Sequence, residues 1–328
     1  LAMTPRAFFL AATALVWPAF TQAYTLKDNY TGNNYQDFFS KFTFWTGTDP
    51  TNGLVQYVDE ASAWSNGLIG NGGNIYLGVD NTNKVGNEGR KSVRLTGKTA
   101  YSPGTLIVAD IAYMPQVCGT WPAFWMTAAS DDWPQSGEID IVENANNAQN
   151  NQMSLHVSNK QGQCTITSNP AMTATKDRWN NCAEEANGGC DANDPRTNSF
   201  GSGFNNNGGG VYAMEWTAQA VRIWFFPRGA IPIGASGPVG SSPNPDTWGT
   251  PTTVFESNNG SGCDMSTHIK NQRIVIDTTF CGTWASGAWS SSGCAAETGY
   301  GSCEDYVKNV PGDFKYAFWT FNLIMAYT

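Results

Sequence analysis

Short runs of β-branched, aromatic and aliphatic residues recur along most of the chain, divided by breaks rich in glycine, asparagine and proline. They fall at 54–58, 74–79, 92–96, 105–113, 121–127, 138–142, 153–157, 211–216, 221–226, 273–277 and 316–327. Several alternate apolar with polar residues, the period of a half-buried strand. Helical periodicity is nearly absent. The best helix is 302–310, with Ser302 as N-cap, Asp305 at the capping-box position and Pro311 just past the end. A second short helical turn is read at 37–42. Many strands and few helices predict an all-β fold, two sheets packed as a β-jelly-roll sandwich. Runs 211–216 and 221–226 predict a hairpin. The stretches 162–210, 228–259 and 281–303 read as long loops. The final strand lies at the C-terminal end, so residues 24–328 are read as one domain.

The segment before residue 24 has a different character. Residues 8–20 form an apolar run behind Arg6, broken by Pro18 and followed by Thr21-Gln22-Ala23. A membrane-spanning helix needs about 20 apolar residues, and this run is shorter. It reads as a secretory signal peptide, residues 1–23, cleaved after Ala23. Export to an oxidising compartment fits eight cysteines with no C-x-x-C pair, which predict long loops stapled by up to four disulfides. Their pairing is open. Sequons begin at Asn29 and Asn259, so the secreted chain is read as a glycoprotein. Eighteen basic against 27 acidic residues give a net charge of −9, which argues against a nucleic-acid partner. No other stretch could span a membrane. Two histidines leave little room for histidine-rich metal chemistry, and no metal site is read.

The most informative segment is Gly137-Glu138-Ile139-Asp140-Ile141-Val142-Glu143. On a strand, Glu138 and Asp140 share one face. A regular strand would send Glu143 to the face of Ile139 and Ile141, where an unpaired carboxylate is costly. A β-bulge near Ile141–Val142 removes the conflict and returns Glu143 to its fellows. The two glutamate Cα atoms would then lie roughly 13 Å apart at ~3.3 Å per residue. Side chains reaching inward bring the carboxyls to ~5–6 Å, compatible with the ~5–5.5 Å of retaining glycosidases rather than the wider inverting spacing. One carboxylate would stay ionised to attack the anomeric carbon, while neighbouring charge keeps Glu143 protonated for the leaving oxygen. Asp140 is expected to hydrogen-bond and orient Glu138.

The run E-I-D-I-V-E resembles the E-x-D-x-x-E signature of glycoside hydrolase family 16 in its bulged, laminarinase-like form. The segments 119–126, 154–156 and 212–216 also resemble that family's strands, and likeness to secreted fungal members extends over most of residues 24–328. The resemblance implies a jelly roll with a long concave cleft and a retaining mechanism. It implies Glu138 as nucleophile, Asp140 as its assistant and Glu143 as acid/base. Its typical substrates are β-1,3-glucans and mixed-linkage β-1,3(4)-glucans. No cofactor is implied. A structural calcium on the convex face is compatible with the family, though no ligand run specifies one. A monomer acting on a glucan is expected. The long 162–210 stretch and the cysteine-rich C-terminal region are the parts that depart from the family's pattern.

Sugar rings pack their C–H faces on aromatic rings. Trp121, Trp125 and Trp133 precede the acidic run, and Trp121 and Trp125 share a strand face; for any one of them a core position serves equally well. The resemblance places Trp125 and Trp133 near the cleaved sugar and Trp284 in the cleft wall. Arg94 is either on a solvated strand face or, by resemblance, a donor to sugar hydroxyls. His156 is either a structural histidine or a partner of the acid/base or of a sugar. Glu215 is a weaker candidate, and His268 is assigned no role. A glucan transglycosylase on the same fold, a non-catalytic jelly-roll lectin and a disulfide-rich wall protein are the competing functions. Nucleophile-elbow and Walker A sequences are absent.

Overall fold

A computed structural model describes residues 24–31, 35–71, 73–130, 132–257 and 262–328. Residues 1–23, read as a signal peptide, and the sequon at Asn259 lie outside the described residues. Among those described, two eight-stranded antiparallel sheets face each other. The front sheet runs Thr175–Lys176, Cys190–Asn193, Gln152–His156, Glu138–Glu143, Thr120–Ala128, Gln272–Phe280, Arg94–Gly97 and Phe42–Phe44 in spatial order. The back sheet runs Thr253–Glu256, Ala220–Pro227, Gly210–Trp216, Thr105–Tyr113, Trp319–Tyr327, Ile75–Leu77 and Ile69–Asn71, and Leu26–Asn29 also pairs with Trp319–Tyr327. The expected hairpin is present, with Trp216 opposite Val221. This is the jelly-roll sandwich that the strand pattern predicts.

Alternation explains the core. Phe124, Met126, Ile139, Ile141 and Ile276 point inward from the front sheet, against Ile107, Tyr212, Met214, Phe321 and Ile324 from the back. The back sheet is covered on its outer side too. Every residue of Gly210–Trp216 is buried. Trp248, from the stretch 228–259, lies over Val211, Ala213, Trp224 and Phe226 and donates its indole N–H to the Ser236 carbonyl at 2.7 Å. A strand buried on both faces reads as a continuous apolar run, which is what this hairpin shows.

The stretches read as loops are partly ordered secondary structure. Thr175–Lys176 and Cys190–Asn193 extend the front sheet at its edge, and Glu184–Asn187 and Gly201–Asn206 are short helices. The strand Cys190–Asn193 buries only Cys190 and Ala192, too little apolar pattern to stand out. Within 281–303, Gly282–Gly287 and Cys294–Thr298 are helical. The C-terminal helix is Cys303–Asn309, and Ser302 caps it by accepting the Asp305 N–H at 3.2 Å. The other helical turn is Tyr35–Ser40. The last strand starts at Trp319, after a 3₁₀ segment at Pro311–Tyr316.

All eight cysteines pair, as Cys118–Cys294, Cys164–Cys263, Cys182–Cys190 and Cys281–Cys303. Cys182–Cys190 ties the 162–210 connection to the strand Cys190–Asn193, and Cys164–Cys263 joins that connection to the segment before Met265–His268. The two ends of the described chain also meet: Thr25 and Thr328 exchange backbone hydrogen bonds of 3.0 Å each way beside the back sheet. Among the described residues no helix is long and apolar enough to cross a membrane.

Candidate active site

Glu138–Glu143 lies in the middle of the front sheet, between Thr120–Ala128 and Gln152–His156. Its register breaks where the sequence requires. Asp140 pairs with Trp125, but Val142 pairs with Phe124, so Ile141 is an extra residue against that neighbour. Against the other neighbour, Asp140 faces Ser154 and Glu143 faces Gln152, three steps against two. Ile139, Ile141 and Val142 are buried in the core, while Glu138, Asp140 and Glu143 all line one cleft of about 850 Å³. A bulge leaves backbone groups outside the ladder. Here the Asn151 side chain takes them up, accepting from the Glu143 N–H at 2.9 Å and donating to the Ile141 carbonyl at 2.8 Å.

Each glutamate receives an indole N–H. Trp133 Nε1 donates to Glu138 Oε2 at 2.9 Å, and Trp121 Nε1 donates to Glu143 Oε1 at 2.8 Å. Asp140, 2% exposed, has an imidazole as its partner rather than Glu138: His156 Nε2 stands 3.3 Å from its Oδ2. The other ring nitrogen, Nδ1, is 2.8 Å from Glu184 Oε2. Burial disfavours a charged imidazole, but hydrogen bonds to these two carboxylates outweigh it and hold the His156 pKa well above its ordinary value.

The three acids are all shifted upward. Burial, then the charge of Asp140, pushes Glu138 up to about 8, against the pull of His156, the Trp133 N–H and Arg94. Burial, then Asp140 and Glu138, raises Glu143 well above the carboxylate range, opposed by the Trp121 N–H and by His156. Burial raises Asp140 as well, with His156 working the other way. Glu138 therefore has the guanidinium of Arg94 in its favour, whereas Glu143 feels the charge of Glu138. The arrangement can hold one glutamate ionised beside another that keeps its proton.

The structure brings most of the sequence candidates together. Arg94, Trp121, Trp125 and Trp133 line the same cleft as the acids, and Trp133 is 50% exposed. Arg94 lies over the rings of Trp125 and Trp45, at 4.9 and 5.5 Å from their centroids. Trp284 packs edge-on against the cleft-lining Trp121, 5.4 Å between centroids. His156 braces Asp140 from the side and bonds neither glutamate of the pair. Glu215 is not part of the site. It belongs to the back sheet, where Tyr24 and Arg222 hold it at 2.9 and 3.1 Å.

Sequence reading missed several cleft residues. Trp45, 41% exposed, follows the strand Phe42–Phe44, which is too short to be seen. Asp277 accepts from Trp125 Nε1 at 3.3 Å and lies 3.8 Å from Arg94 Nε. Burial pushes its pKa up to about 7, with Arg94 opposing. A lone acid within the apolar run Ile274-Val275-Ile276-Asp277 was the available signal. Glu184 carried none, because it reaches His156 from a segment read as loop.

Two groups could offer metal ligands among the described residues, Cys164/Cys263/His268 and Glu138/Asp140/His156. The first has its sulfurs spent in a disulfide. In the second, both ring nitrogens of His156 are already engaged, Nδ1 by Glu184 and Nε2 by Asp140.

Residues 42–327 match the family model described as the XgeA-like, catalytic GH16 domain. The endo-1,3(4)-β-glucanase of Arthroderma benhamiae is 41% identical over 312 residues, 93% of this chain and 65% of that protein. The chain spans about half the length of the curated fungal relatives it matches. Among solved structures, laminarinase 16A of Phanerochaete chrysosporium is 38% identical with a TM-score of 0.83, covering 93% of this chain and all of that one; it is seen with 6-O-glucosyl-laminaritriose in donor and acceptor sites. An elongating β-1,3-glucosyltransferase of the same family is 41% identical with a TM-score of 0.82 and the same coverage.

Proposed function

The chain belongs to glycoside hydrolase family 16, in its XgeA-like branch, and from that premise we propose that residues 24–328 act as one catalytic domain that hydrolyses β-1,3- and mixed β-1,3(4)-glucans within the chain, with retention at the anomeric carbon. Glu138 attacks that carbon as its bond to the leaving oxygen breaks, and Glu143 gives its proton to the departing sugar. Glu143 then takes a proton from water, whose oxygen replaces Glu138 at the same carbon. Asp140, paired with His156, disfavours a second charge in the cleft, Arg94 favours ionised Glu138, and the Glu138 charge keeps the proton on Glu143. Trp125, Trp133 and Arg94 offer flat faces and a cation to the sugar rings. The substrates and linkages of the relatives support this reading, and four disulfides support action outside the cell.

The observation that carries the proposal is the bulge that puts Glu143 in one cleft with Glu138, each under its own indole N–H. Transfer of the glycosyl group to a sugar instead of water uses the same residues, and the likeness to an elongating glucosyltransferase favours keeping it as the second reading. The test is incubation with laminarin, lichenan and unbranched β-1,3-glucan, with linkages and initial anomers followed by NMR. β-Anomeric products shorter than the substrate are expected. Initial α-anomers overturn retention, and oligosaccharides longer than those supplied assign the transferase. Glucan binding without cleavage overturns the enzyme.

A further inference from the structure

The bulge that returns Glu143 to the cleft is not held by the ladder alone. Asn151 is fully buried, and its amide closes on the bulge from both ends, at the Glu143 N–H and the Ile141 carbonyl. Its backbone is pinned in turn. The Asn151 N–H donates to Ser199 Oγ at 2.9 Å, and the Asp194 N–H donates to the Asn151 carbonyl at 2.9 Å. Ser199 Oγ donates to the Arg196 carbonyl at 2.8 Å, and the Tyr212 hydroxyl of the back sheet donates to the Ser199 carbonyl. Asp194 and Ser199 are fully buried, and Asp194 also grips Arg196.

We propose that Asn151 is a positioning residue for the acid/base: braced by residues 194–199 of the long 162–210 connection, it fixes the backbone of Glu143 and so the point from which the proton is delivered. A primary amide suits the task because it donates and accepts at once. A bulge has one unpaired N–H and one unpaired carbonyl, and buried groups of that kind must find partners. Alanine here strands both, and the bulge relaxes toward a regular strand. Glu143 then drifts from the leaving oxygen, while Glu138 and Asp140, on the regular side of the bulge, keep their register opposite His156 and Ser154. The long connection thereby has a catalytic consequence, although it contributes no side chain that touches substrate in this scheme.

This inference rests on Glu143 being the proton donor, so the test separates the two. Protonation matters for an alcohol leaving group and hardly at all for an activated phenol. Asn151→Ala is assayed on laminari-oligosaccharides and on a dinitrophenyl β-laminaribioside, with Glu143→Ala in parallel. Asn151→Ala is expected to lose about 100-fold in kcat/KM on the oligosaccharide and less than about 5-fold on the activated substrate. Asn151→Asp, nearly isosteric, keeps the acceptor for the Glu143 N–H and gives the same selectivity at smaller size; it carries the test if alanine fails to fold. Equal losses on both substrates in a folded variant, or no loss on either, overturn the brace. Should Glu143→Ala itself lose equally on both, the acid assignment fails instead.

Discussion

The two sheets present outer faces built from the same alternating strands and finished in opposite ways. On the back sheet, Trp248 and its loop seal the face, and Gly210–Trp216 disappears from solvent. On the front sheet the face stays open, and the positions that could have been apolar carry Glu138, Asp140, Glu143, Asp277 and Arg94. Sealing a face gains burial of apolar surface. Leaving it open forgoes that gain and adds the cost of holding acids in a half-dry cleft. Stability and chemistry are thus assigned to different sides of the sandwich.

That division breaks if the front face proves structural. Glu138→Gln is expected to lower kcat/KM on laminarin at least about a thousandfold, and thermal unfolding should stay at or above the wild-type midpoint, since an acid whose ionisation burial and Asp140 oppose is removed. A large fall in the midpoint would show the acid to be part of the scaffold. The converse change is Trp248→Ala. It removes a buried ring that packs edge-on against Trp224 and Phe226, at 5.4 and 5.9 Å. A loss of about 3–5 kcal/mol is expected by urea unfolding, with kcat/KM unchanged at temperatures where the variant is folded.

The pH dependence of stability sharpens the comparison further. Burial pushes Asp277 up to about 7 and raises the interacting pair Glu138 and Glu143, which together keep a proton above the ordinary carboxylate range. In the unfolded chain they release protons near the ordinary carboxylate values, so between that range and their folded values the folded state holds more protons. The stability these groups contribute is present in acid and is lost as pH rises through their folded values. His156, raised by its two carboxylate partners, adds in the same direction, since its contribution is also lost as pH rises. Calorimetric midpoints should decline between pH 5 and 8, by the least of the three effects. Glu138→Gln should flatten the slope, whereas Trp248→Ala should lower the whole curve without changing it.

The acidic run was legible because its chemistry conflicts with strand geometry. An acid at an inward position, five residues after another, demands a bulge, and the bulge is there between Asp140 and Glu143. The main strands were legible from alternation for the same reason. What stayed hidden depends on contacts across sequence. Asn151 looks like one more polar residue in Asn150-Asn151-Gln152, and only folding puts its amide against Ile141 and Glu143. Trp284 was assigned by likeness, with no local pattern to say that it packs edge-on against Trp121. His156 had several partners open to it, and the choice was made by the strand pairing that brings it to Asp140 and by a short helix, Glu184–Asn187, in a segment that leaves no periodic trace.

The pairing of the first and last described strands has a consequence for how this fold can be rearranged. Thr25 and Thr328 are neighbours beside the sheet that does not bear the cleft. A short linker would join them without crossing the substrate path, so a circular permutant could open elsewhere and keep every strand in place. A segment joined at either of these two positions would lie on the side of the molecule away from the groove.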